Sequence, residues 1–80
     1  MTHHDALWAA IMHLARAQNI TCSKMARMCH LDATAFNPSK RYSRHGQPRW
    51  ISTETLYKIL THTNTTPLQF AEILQLYLNT

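Results

Sequence analysis

Residues 20–37, Ile20-Thr21-Cys22-Ser23-Lys24-Met25-Ala26-Arg27-Met28-Cys29-His30-Leu31-Asp32-Ala33-Thr34-Ala35-Phe36-Asn37, decide how this chain is read. Thr21 is a strong N-cap, because its hydroxyl can accept a free amide hydrogen of a helix's first turn. Met25, Ala26 and Cys29 follow on one face at helical spacing. That helix is short and ends near Cys29 or His30. Asp32 caps a third helix beginning at Ala33, so the two helices are separated by a very short gap. Such a gap is the tight turn of a helix-turn-helix. Pro38 bounds the third helix. Its ring clashes with the carbonyl four residues back, here Thr34, and it drives Asn37 out of helical angles. The regular part of the third helix is therefore Ala33 to Asn37.

Outward from this pair the pattern stays helical. Leu7, Ile11 and Leu14, joined by Trp8 and Ala15, form the apolar stripe of a first helix from about Asp5 to Gln18, with Asn19 as a left-handed stop. Pro38 to Ile51 reads as an irregular connection containing Gly46, Pro48 and four of the eight basic residues. A loop of that length in so small a domain is usually functional. Ser52 caps a fourth helix. Glu54 lies in its first turn, and Ile51 and Leu56 stand at hydrophobic-staple spacing. Leu56, Ile59 and Leu60 face its core side. Thr66 and Gln69 make a capping box for the last helix, with Pro67 at its first position. Phe70, Ile73, Leu74 and Tyr77 are its core stripe, and Ala71, Leu76 and Leu78 are apolar beyond what one small core needs. The expectation is an all-α, five-helix single domain over residues 1–80.

Composition narrows the function. The chain has 80 residues and 45% hydrophobic content, enough for one core. One Gly and three Pro are too few for most all-β or disulfide-built folds. No apolar run approaches the roughly 20 residues of a membrane span. Cys22 and Cys29, if on one helix, lie about 10 Å apart along its axis, beyond disulfide reach. Free thiols, and residues 1–4 without a charged-then-apolar leader pattern, point to the cytoplasm. The net charge is +4. Between Lys24 and Arg49 stand six cations and one acid, Asp32, so this stretch carries +5 and the remainder −1. A basic middle on a near-neutral body suits a polyanion; a solvated basic loop is the plainer alternative.

The residues then resemble a known family. Ile20-Thr21-Cys22-Ser23-Lys24-Met25-Ala26 resembles the hydrophobic-Thr-x-x-x-hydrophobic-Ala opening of the helix-turn-helix in the phage repressor and Cro class. Leu31-Asp32-x-x-x-Phe36 resembles its turn and recognition-helix start, and Ser52-Thr53-Glu54-Thr55-Leu56-x-Lys58-Ile59-Leu60 its fourth helix. The likeness covers roughly Leu7 to Leu74. Phe36 to Arg41 with Pro48-Arg49-Trp50 looks like a bacterial subgroup whose members often carry a C-terminal peptidase-like domain. The chain departs from the pattern at three points: His30 stands where a turn Gly is usual, Pro38 shortens the recognition helix, and residues 1–80 are expected to hold the helix-turn-helix domain without the peptidase-like one.

The resemblance implies sequence-specific binding of double-stranded DNA by a transcriptional regulator, a repressor associated with the bacterial nucleoid. The third helix would read the major groove through Ala33, Thr34, Asn37 and Ser39. Asn37 suits adenine and the Thr34 methyl suits thymine. Thr21, Ser23, Lys24, Lys40, Arg41, Arg44 and Arg49 would hold phosphates. On the plainer reading, Asn37 caps a bent helix, and Trp8 and Trp50 are core plates. The surplus apolar residues Leu76 and Leu78 are either the contact of a homodimer through the C-terminal helix, which would supply two half-sites, or a helix end that a further domain would cover. The histidines and cysteines do not match zinc spacing. Four acids, two of them caps, leave little for acid–base catalysis, so neither enzyme, metal nor cofactor is expected. The rival functions are RNA binding through the basic loop, where Tyr42 is the clear stacking residue, and a protein-interaction module built on the last helix.

Overall fold

The computed structural model describes all of residues 1–80. Four α-helices make up the chain: α1 (His3–Ala17), α2 (Cys22–Met28), α3 (Thr53–His62) and α4 (Pro67–Leu78). A 3₁₀ turn, Pro38–Lys40, lies between α2 and α3. The protein is all-helical, with no strand beyond an isolated bridge between Tyr42 and Pro48. No helix is long and apolar enough to cross a membrane.

Each helix starts on a hydroxyl. Thr2, Thr21, Ser52 and Thr66 accept the amide hydrogens of Asp5, Lys24, Thr55 and Gln69. At Thr66 the box is complete, because the Gln69 side chain accepts from the Thr66 amide at 2.9 Å. α1 begins two residues earlier than expected, because Thr2 rather than Asp5 opens it.

α1, α2 and α3 all end in the same way. The residue after the C-cap is left-handed: Asn19 at φ 56°, His30 at φ 60° and Asn64 at φ 52°. The next amide reaches back five residues, Ile20 to Ala15, Leu31 to Ala26 and Thr65 to Leu60. These are Schellman closures, and they return the chain toward the body it left.

The core is continuous. Ala10, Ile11, Leu14 and Ala15 of α1 meet Met25, Ala26 and Cys29, then Ile59, Leu60 and Phe70. Phe36 is fully buried among them. Leu56, Ile73, Leu74 and Tyr77 complete the cluster from half-buried positions. α4 lies along α1 more extensively than any other pair of helices packs.

The expected third helix is absent, so there are four helices rather than five. Residues 33–36 are successive turns, with Ala35 N–H donating to Asp32 O at 2.9 Å and Asn37 N–H to Thr34 O at 3.0 Å. The reason is local. Pro38 has no amide hydrogen to give the Thr34 carbonyl, and Asn37 is extended at φ −64°, ψ 149°. The segment is too short to nucleate a helix against that loss. Phe36 fixes it instead, by burial.

His30 holds a left-handed conformation without glycine's freedom, at a cost of roughly 1–2 kcal/mol. Its side chain is exposed, so His30→Gly removes strain and little packing. We expect Tm to rise by roughly 4–8 °C, the shift of about 1 kcal/mol in a domain this size. Calorimetry reads it, and an unchanged or lower Tm contradicts the strain.

Candidate nucleic-acid interface

The basic connection is built rather than slack. Arg49 N–H donates to Arg41 O and Ser43 N–H to Gln47 O, both at 2.8 Å, flanking the Tyr42–Pro48 bridge. The Ser43 hydroxyl accepts from the amides of His45 and Gln47, and Gly46 takes φ 81° so that the chain can turn. Arg44 and His45 are thereby held at an exposed tip.

This hairpin-like loop is tied to the start of α1. The Arg49 carbonyl lies 3.1 Å from Trp8 Nε1, which donates to it, and 3.1 Å from His4 Nε2. Trp8 is buried, and the His4 ring stands edge-on to Tyr42 at 4.9 Å and Trp50 at 5.2 Å. The Arg41 guanidinium lies 5.7 Å above the Trp8 ring, a cation–π arrangement. Its Nε is buried without a hydrogen-bond partner.

Thr34 and Ser39 are exposed, and Ala33 and Asn37 are half-buried, so none of the four lies in the core. The Thr34 hydroxyl and amide both donate to Asp32 Oδ1, at 2.7 and 2.9 Å. That commits the hydroxyl and leaves the methyl as the uncommitted group of an exposed side chain. Asn37 precedes the 3₁₀ turn but makes no side-chain cap bond. Ser23 donates its hydroxyl to Ala33 O at 3.3 Å, joining α2 to the turn. Thr21 is occupied as a cap, while Lys24, Lys40, Arg44 and Arg49 are exposed. Thr34, Lys40 and Arg49 meet around one cleft of about 340 Å³.

Sequence reasoning missed the role of His4, Trp8 and Arg41 as anchors of the loop. The available signal was His4 and Trp8 four residues apart on the apolar face of the first helix. Trp50 is no core plate; it is 59% exposed, and Tyr42 is 46% exposed. Trp8, at 2%, is one. Both cysteines are free, and burial pushes the Cys29 thiol upward. His30 and His62 approach to 6.4 Å with no third ligand-type side chain beside them. None of the known families, curated proteins or solved structures compared with the chain matches it.

The hydrogen bonds from Thr34, hydroxyl first and amide second, hold the Asp32 carboxyl below its ordinary 3.8. A depressed folded value stabilises the protein above the unfolded pKa, and the gain is lost as pH falls through the folded one. Asp32→Asn removes that titration. Its Tm should fall less steeply than wild type below about pH 4, measured by thermal melts across an acid series. Parallel curves contradict the assignment.

Proposed function

We propose that the protein binds double-stranded DNA as a transcriptional repressor of the phage repressor and Cro class, acting at the nucleoid in a bacterial cytoplasm. α2 and the turn after it take the parts of the helix-turn-helix. Thr34 and Asn37, with Ala33 and Ser39 beside them, meet base edges in the major groove. Thr21, Ser23, Lys24, Lys40, Arg44 and Arg49 meet phosphates and set the register. Arg41 contributes mainly by holding the loop, since its guanidinium sits over Trp8. The observation that carries the reading is the meeting of exposed Thr34 with Lys40 and Arg49 around one cleft, within a stretch of sequence, residues 24–49, that carries +5.

Selection from a random duplex pool, followed by a salt series on the winner, tests this reading. Binding should weaken linearly on logarithmic axes as salt rises. Lys40→Ala and Arg44→Ala should each lower the slope by about one unit without changing base preference. Absence of duplex binding at low salt refutes the proposal. A changed preference with an unchanged slope makes these residues base readers.

A single short turn reads few base pairs, so operator recognition takes two copies on half-sites one helical turn apart. Leu76, 65% exposed on α4, is the proposed contact. Sedimentation on a palindromic duplex should show two protomers for wild type. Leu76→Glu should abolish the cooperativity and leave half-site affinity intact. A wild-type complex that stays one-to-one when concentrated removes the dimer.

A further inference from the structure

The cleft beside the turn is lined by more than cations. Trp50 forms one wall, and Trp8, Asp32, Thr34, Lys40 and Arg49 also line it. Its volume, about 340 Å³, stands at the small end of ligand sites, which run roughly 300–1,000 Å³. The walls divide into three kinds. Trp50 offers a large aromatic surface that the core leaves uncovered. Lys40 and Arg49 are exposed cations. Asp32 has its Oδ1 filled by two bonds from Thr34, while no bond occupies Oδ2.

From this arrangement we infer that the cleft receives a single unpaired nucleobase of the bound nucleic acid, stacked on Trp50. A planar base supplies what each wall lacks: a π-face for the indole, an amino edge donating to Asp32 Oδ2, and flanking phosphates for Lys40 and Arg49. A fatty or purely apolar ligand would leave the carboxylate and both cations unanswered, and a free anion would leave the indole uncovered and meet Asp32. Trp50 is held for the task. The carbonyl of its neighbour Arg49 accepts from the Trp8 indole, and the Trp50 and His4 rings form a T-shaped pair at 5.2 Å. A base-paired nucleotide keeps its amino edge in the pair and its faces in the stack, so a matched duplex can engage Lys40 and Arg49 but leaves the indole and Asp32 Oδ2 unused. The inference rests on the nucleic-acid reading above and names the structural feature that this face prefers.

The test compares three DNA probes of one sequence: the matched duplex, the same duplex with one unpaired adenine, and the single strand. Stacking of one base on an aromatic side chain predicts about 5- to 160-fold tighter binding of the duplex with the unpaired base than of the matched one. Tryptophan fluorescence should be quenched more by that probe than by the matched duplex, and the difference should vanish in W50L. W50F should keep the preference. W50L, which retains apolar bulk but no π-face, should lose it while binding the matched duplex as wild type does. Equal wild-type affinity for the two duplexes overturns the inference and leaves the duplex reading standing. A W50L that loses both duplexes equally also overturns it, because Trp50 then acts on the loop as a whole. A single strand bound as tightly as the unpaired-base duplex, with the matched duplex unbound, supports the cleft and refutes the duplex reading. No binding to any probe refutes both.

Discussion

Pro38 lacks an amide hydrogen, and the exposed face of the protein follows from that missing donor. The Thr34 carbonyl has no partner four residues on, so it accepts from Asn37 instead. The helix cannot propagate, Asn37 leaves extended, and a 3₁₀ turn redirects the chain. Lys40 and the loop beyond it are thus carried back toward α1 rather than outward along a helix axis. Phe36 makes the arrangement stable. Its ring is buried two residues before the proline, and exposing such a ring costs about 1.5–3 kcal/mol. Backbone chemistry ends the helix, and the core holds the resulting turn in one place.

The charged and aromatic residues of the loop divide into two kinds by the partners they find. Arg41 lies over Trp8 and is half-buried, whereas Arg44 and Arg49 extend into water. Trp8 belongs to the core and Trp50 does not. The carbonyl of Arg49 is the joint between these sets. It is fixed by the Trp8 indole, so its own guanidinium and the neighbouring indole of Trp50 project from a braced backbone. Bracing would favour the proposed binding, because side chains on an ordered loop lose less freedom on binding.

The remaining scaffold gains order from repeated local devices rather than from size. A chain of this length buries a modest fraction of its surface, so its margin is small. Four hydroxyl caps and three left-handed closures satisfy the helix ends that would otherwise compete for water. They also set the directions in which the helices leave one another, which lets α4 lie along α1.

The sequence by itself determined the four helices that form and most of their ends. Caps, closures and apolar spacing act within a few residues of one another, so Thr21, Ser52, Thr66 and Asn19 could be read directly. The stop at Pro38 was legible too, but its consequence was not. Whether a five-residue stretch survives as helix depends on the balance between lost backbone bonds and burial of Phe36, and burial is not local. The same holds for the site. The basic stretch and Thr34 were visible in the chain, whereas the bond from Trp8 to Arg49 spans 41 positions and Trp50 differs from Trp8 solely in what covers it. Only the tertiary structure decided which indole faces water and which guanidinium is spent on the core, because both are fixed by contacts between segments far apart in sequence.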